Sequence, residues 1–167
     1  GEARFYKIQK GAASPGRALF LHSVDVSVTP YAYTESFQDM NAVLSKDNLK
    51  VGFNVYIIWK VNSSDSSIAQ FVEHFSTLEA KAASETVVQT AYNNYIKEPL
   101  RTYARIEVQK YSAFDIKSSM TEIGKLVEDK VRLLSKNTPF DIISIVVGNI
   151  TYDNKITDAI SAKLSAR

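Results

Sequence analysis

From residue 49 to residue 62 one pattern runs unbroken: Leu49, Val51, Phe53, Val55, Ile57, Trp59 and Val61 alternate with Lys50, Gly52, Asn54, Tyr56, Ile58, Lys60 and Asn62. A period of two held over 14 residues puts every second side chain on one apolar side of an extended chain, which requires a sheet with one covered face. A helix would scatter the same residues around its axis. Upstream, residues 35–44 read as extended and Ser45-Lys46-Asp47-Asn48 as a compact polar turn, so the segment predicts a β-hairpin whose second arm is the long strand. Residues 18–28, with Val24, Val26 and Val28 alternating against Asp25 and Ser27, predict a half-buried strand. Residues 4–10 predict a shorter one, joined to it by the Gly/Ala/Ser/Pro connection 11–16.

After Asn62 the period changes. A Ser-rich link at 63–67 gives way to Ile68, Phe71, Val72 and Phe75 at helical spacing. A second helical stretch carries Ala80, Ala83, Val87, Ala91 and Tyr95, and Pro99 is expected to start, kink or interrupt a helix. Beyond it Leu100, Tyr103, Ala104 and Val108 continue an apolar face. A third helix presents Ile116, Met120, Ile123, Val127, Val131 and Leu134 on one side and Lys125, Glu128, Asp129 and Arg132 on the other, ending before Pro139. Residues 140–150 are a nearly continuous β-branched run, the pattern of a strand covered on both sides. Asp153 or Asn154 then caps a last helix with Ile156, Ile160 and Leu164 repeating every fourth residue. Strands, helices, then a strand and a helix define an α+β domain. The expected division is a domain over 1–152 (1–62 mainly strands, 63–139 helical, 140–152 strand), with 153–167 the start of a C-terminal helix, a truncated coiled coil.

Charge is spread evenly: 7 basic and 5 acidic residues in 1–62, 10 and 10 in 63–139, 3 and 3 in 140–167. No segment is a basic patch, which argues against nucleic acid as a partner. The chain has no cysteine, removing disulfides, thiol catalysis and thiolate metal sites. No apolar run approaches the ~20 residues that span a bilayer. The opening on Gly and the stop within a helical pattern are read as marks of a piece of a longer protein.

Reactive constellations are sparse. The two histidines, His22 and His74, stand on a strand pattern and a helix pattern, outside any Gly-x-Ser-x-Gly turn or paired-histidine spacing, and read as packing or surface residues. Gly124-Lys125 falls within a helix and Gly148-Asn149 follows a strand, neither with the spacing of a phosphate loop. Glu122, Glu128 and Asp129 interleave with Lys125 and Arg132 as on a solvated helix face. Tyr31, Tyr33 and Phe37 read as strand and core aromatics in preference to a ligand cage. The sequons at Asn62 and Asn149 carry no assigned function, and no catalytic residue, cofactor or metal ligand is expected.

The segment from Val43 through Ser45-Lys46-Asp47-Asn48-Leu49-Lys50-Val51 into Phe53-Asn54-Val55-Tyr56-Ile57-Ile58-Trp59-Lys60-Val61 resembles the Thr-Lys-Asp turn and following strand of the stomatin/prohibitin/flotillin domain, also called the SPFH, Band 7 or prohibitin-homology domain. Here Ser45 stands for the commoner Thr. Leu100-Arg101-Thr102-Tyr103-Ala104-Arg105 and the corner Tyr111-Ser112-Ala113-Phe114-Asp115 resemble the family's central helix and turn. Phe140-Asp141-Ile142 through Ile150-Thr151-Tyr152 resembles its late strand, with Asp141 where Gly is frequent, and Thr157-Asp158-Ala159-Ile160 its final helix. Pro15-Gly16 corresponds to the lead-in, and the spacing around Asn149 leans toward prohibitin-like members.

The resemblance implies a twisted antiparallel or mixed sheet packed against two to three helices, ending in the start of a long C-terminal helix. It also implies a non-enzymatic, membrane-associated scaffold that forms homo-oligomers, attached through a segment outside this chain. Such scaffolds organise membrane microdomains or regulate membrane proteins such as AAA-type proteases. The expected oligomer contacts are Lys125, Glu128, Asp129 and Arg132 on the third helix and Ile156, Ile160 and Leu164 on the last. Two other functions compete: a small-ligand or lipid-binding module, with an apolar cavity beneath the aromatic strands, and a hydrolase with a site assembled from scattered Ser, Lys and His.

Overall fold

The computed structural model describes residues 29–62, 64, 66, 84–153, 157–158 and 161–162. Among these residues four strands form one antiparallel sheet: β1 (Tyr31–Phe37), β2 (Val43–Leu44), β3 (Lys50–Val61) and β4 (Phe140–Tyr152). β3 is the central strand. It pairs with β1 and β2 and, along nearly its whole length, with β4. Between β3 and β4 the chain forms α1 (Ser84–Tyr95), α2 (Lys97–Val108), the single turn α3 (Ala113–Ile116) and α4 (Met120–Ser135). The α+β class follows directly.

The alternation in β3 has the expected result. Val51, Phe53, Val55, Ile57, Trp59 and Val61 are buried beneath the helices, while Tyr56 and Ile58 are exposed on the other face. β1 obeys the same rule, Tyr31, Tyr33, Glu35 and Phe37 turning inward. The rings pack around Trp59: Tyr31 at 5.4 Å, Tyr33 at 6.0 Å, Tyr92 at 6.1 Å and Phe140 edge-on at 5.6 Å. Phe37 stacks on Phe53 at 4.5 Å. These aromatics are core, as their strand positions predict.

Several elements differ from expectation. The first arm of the hairpin is not one strand: a 3-10 turn at Asp39–Asn41, with Asp39 at φ 51°, separates β1 from the two-residue β2. Pro99 lies in the first turn of α2, where it cannot donate to the carbonyl of Tyr95, and α1 therefore ends there. Of the stripe expected there Ala91 is buried and Tyr95 half-exposed, with Val88, Tyr92 and Ile96 also buried; Ala80, Ala83 and the side chain of Val87 lie outside the described residues. The third helix begins later than its pattern, because Ile116 belongs to α3 and a 3-10 turn at Lys117–Ser119 intervenes; Leu134 is exposed.

β4 is the clearest correction. Only one of its faces is covered among the described residues: Phe140, Ile142, Ile145 and Val147 are buried, whereas Ile143 is 42% and Val146 53% exposed. The strand readings for 4–10 and 18–28, the helix at 68–75, and His22 and His74 lie outside the described residues.

Candidate functional site

Two surfaces concentrate the residues singled out in the sequence. The first joins three of the segments that carry the family resemblance. In the hairpin turn Asn48 adopts φ 62°, a conformation Asn tolerates better than most residues. The Ser45 amide donates to the Leu49 carbonyl at 2.8 Å, and its hydroxyl accepts the Leu49 amide at 3.1 Å and bonds the Asp47 carboxylate. The turn then docks on the α2–α3 corner: the Lys46 amide donates to the Tyr111 carbonyl at 2.8 Å, and Asp47 Oδ1 accepts the Ala113 amide at 3.0 Å. The Tyr152 hydroxyl, from the end of β4, donates to the Ala113 carbonyl at 2.8 Å. Signature turn, signature corner and late strand thus meet at one three-way junction.

A prediction follows for that junction. Asp47→Ala removes the acceptor for a helix-initiating amide and the partner of the Ser45 hydroxyl. It should cost about 1.5–3 kcal/mol, the usual worth of a bond to a charged group. Asp47→Asn, which keeps an acceptor oxygen, should recover much of the loss; both are read from urea unfolding midpoints.

The second surface is α4 on β4. Residues three and four apart fall into neighbouring rows along a helix, and here each row has its own neighbour. Ile123, Val127 and Val131 face the core. Gly124, Glu128 and Arg132 run along the β4 backbone. A Cβ on Gly124 would stand 3.3 Å from the Val147 amide nitrogen and 3.4 Å from the Ile145 carbonyl oxygen. Glu128 Oε2 accepts the Ile145 amide at 3.3 Å; Arg132 Nη2 donates to the carbonyls of Ile142 at 3.0 Å and Ile143 at 3.3 Å. The two side chains also pair with each other at 2.8 Å. Lys125 and Asp129 occupy the outer row, bridged at 3.2 Å and exposed to solvent.

Of the expected oligomer contacts, the structure therefore brings Lys125, Glu128, Asp129 and Arg132 together, but gives Glu128 and Arg132 an intramolecular task. Ile156, Ile160 and Leu164 lie outside the described residues; Thr157, Asp158, Ser161 and Ala162 are helical.

Two buried charges went unread in the sequence. Glu35, on the inward side of β1, accepts the Tyr92 hydroxyl at 2.7 Å and Arg101 Nη1 at 3.0 Å, while the Arg101 guanidinium lies 4.2 Å over the Phe37 ring. Burial, reinforced by the bond to Glu35, pushes the Tyr92 phenol far above its usual range, so it stays protonated and donates. Glu107 is 1% exposed, yet Lys130 reaches it at 2.6 Å and Lys110 at 3.0 Å. The available signal was a carboxylate in each apolar stripe: Glu35 in step with Tyr33 and Phe37, Glu107 beside Ala104 and Val108.

Burial alone would raise the Glu107 carboxyl, but the hydrogen bonds from Lys130 and Lys110 outweigh it and hold the group below its ordinary value of 4.5. A carboxylate depressed in the folded state stabilises the fold fully above its unfolded pKa, and loses that contribution as pH falls through the folded value. Wild-type stability should therefore drop from about pH 5 downward, and Glu107→Gln should flatten that part of the profile. Urea unfolding across the acid range checks it; an unchanged acid limb would contradict the assignment.

An apolar recess lies where α1, α2, α4 and β4 meet, lined by Tyr95, Ile96, Pro99, Val131, Leu134 and Phe140. It is at the edge of the aromatic cluster, whereas the floor beneath β1 and β3 is filled by side chains of α1 and α2. Among the described residues no group of His, Cys, Asp and Glu could hold a metal ion, and no helix is long and apolar enough to cross a membrane.

Among the described residues an antiparallel sheet roofed by helices, with a motif-bearing hairpin docked on a helical corner, defines an α+β module. The SPFH domain / Band 7 family model matches residues 4–167, and the chain belongs to that family. The family is in general one of membrane-associated, non-enzymatic scaffold domains. No curated protein matches the chain closely enough to add a relative.

Proposed function

We propose that this chain is the scaffold domain of a membrane-associated homo-oligomer that organises membrane microdomains or regulates partner membrane proteins, membrane-bound AAA-type proteases among them, without chemistry of its own. Family membership carries the reading. The junction at Ser45, Asp47 and Ala113 is consistent with it, because the residues that resemble the family's marks hydrogen-bond to one another's backbone and join hairpin to helical corner. Copies would associate through the exposed Lys125–Asp129 row and through the Ile156, Ile160 and Leu164 stripe of residues 153–167, read as the start of a coiled coil. The lean toward prohibitin-like members belongs to the same proposal.

The test uses the protein in the cell that makes it. Membrane fractionation followed by native electrophoresis should place it in the membrane pellet, in a particle many times the mass of one chain. Recovery as a monomer in the supernatant would overturn the reading.

A further inference from the structure

The apolar recess sits at the Phe140 end of the sheet. Ile96, Val131 and Phe140 are buried and make its floor, while Tyr95 and Leu134, 47% and 52% exposed, stand at its rim. Among the described residues none that lines it is charged. Large apolar side chains left half in water around a concave place mark a site of contact. A charged peptide or a lipid headgroup would find no counter-charge in the lining. An uncharged cleft walled by helices suits the apolar side of another helix, whose anchors recur at every third or fourth residue. This chain carries such a set: Ile156, Ile160 and Leu164.

We propose that the recess of one copy receives the Ile156, Ile160 and Leu164 stripe of a second copy. The proposal rests on the scaffold reading and names the surface that its stripe meets. Reach decides whose stripe it is. β4 enters beside Val61 at Phe140, next to the recess, and leaves beside Val51 at Tyr152. The two ends are about 33 Å apart at the usual rise of a strand. Beyond Tyr152 the Thr157 amide donates to the Asp153 carbonyl at 2.9 Å, and Thr157, Asp158, Ser161 and Ala162 are helical. At about 1.5 Å per residue Leu164 then lies no more than about 18 Å from Tyr152. The stripe falls well short of the recess of its own chain. Recess and stripe stand at opposite ends of the sheet, so copies would join head to tail, which gives a ring where the rotation closes and a filament where it does not.

Two variants test it in sedimentation equilibrium, Leu134→Glu in the recess and the Ile156→Glu/Ile160→Glu/Leu164→Glu triple change in the stripe. Each alone should self-associate about tenfold or more weakly than the wild type. Mixed, they should form a one-to-one pair and stop there, because only the stripe of the first and the recess of the second are intact. If circular dichroism shows that Leu134→Glu does not fold, Leu134→Gln is read in its place, with a smaller loss and the same pairing. A folded recess variant that associates like the wild type overturns the proposal: the stripe then meets another surface, such as a second stripe in a coiled coil, and the scaffold reading stands. Two weakened variants that do not pair when mixed overturn it as well. A wild type that stays at one copy throughout removes the scaffold reading together with the proposal.

Discussion

Trp59→Ala is expected to lower the free energy of unfolding by about 3–5 kcal/mol, the usual cost of emptying a buried aromatic site. The indole is wholly buried on the central strand and touches Tyr31, Tyr33, Tyr92 and Phe140, so its loss opens the place where β1, β3, β4 and α1 converge. The more informative variant is Trp59→Phe. Among the described residues the indole nitrogen has no hydrogen-bond acceptor, so replacing it by a ring without a donor sacrifices packing but no bond. A loss of about 1–2 kcal/mol is expected, the cost of a partly filled cavity. Since Trp59 is the only tryptophan, unfolding is followed by circular dichroism. A penalty for Phe equal to that for Ala would show that the nitrogen, and not the ring, matters.

The second large effect is at Gly124. An added methyl would press on the Val147 nitrogen and the Ile145 oxygen, backbone atoms of a strand pinned by its ladder to β3. Alanine gains about 1 kcal/mol of helix propensity and loses a comparable amount to that contact, so Gly124→Ala should be close to neutral. Gly124→Val has no such offset. Its branched carbons must push α4 off the sheet, and overpacking of this kind costs about 1–3 kcal/mol. The shift would also withdraw Glu128 and Arg132 from β4, so the Val variant should show faster hydrogen exchange at the Ile145 amide. A Val variant as stable as the wild type would mean that helix and strand are not in close contact.

How much of this was legible in the sequence depended on whether a pattern stayed in register. β3 did: its alternation from Val51 to Val61 maps directly onto burial. β4 did not, because bulges opposite Ile58/Trp59 and Gly52/Asn54 break the period. Its inward residues, Ile142, Ile145 and Val147, fall at spacings of three and two, and with Ile143 and Val146 between them the strand reads as apolar throughout. Asn149, at φ 51°, marks the second bulge. The charged residues of α4 were legible as a group but not in their roles. Nothing in the local spacing separates Lys125 and Asp129, which face solvent, from Glu128 and Arg132, which face a strand backbone remote in the chain. The junction of the hairpin turn with the α2–α3 corner was hidden for the same reason: Asp47 and Ala113 are 66 residues apart. Each motif was visible, and their contact was not.

The scaffold reading is tested most directly by light scattering after size exclusion on this chain over a range of concentrations. Two variants are run beside it, one with Ile156, Ile160 and Leu164 changed to Glu, the other with Lys125→Glu and Asp129→Lys. The expected result is a particle that grows with concentration in the parent chain and falls toward the 18.6 kDa of one copy in both variants. A parent chain that stays at one copy at every concentration, or a multimer indifferent to both sets of changes, would contradict it.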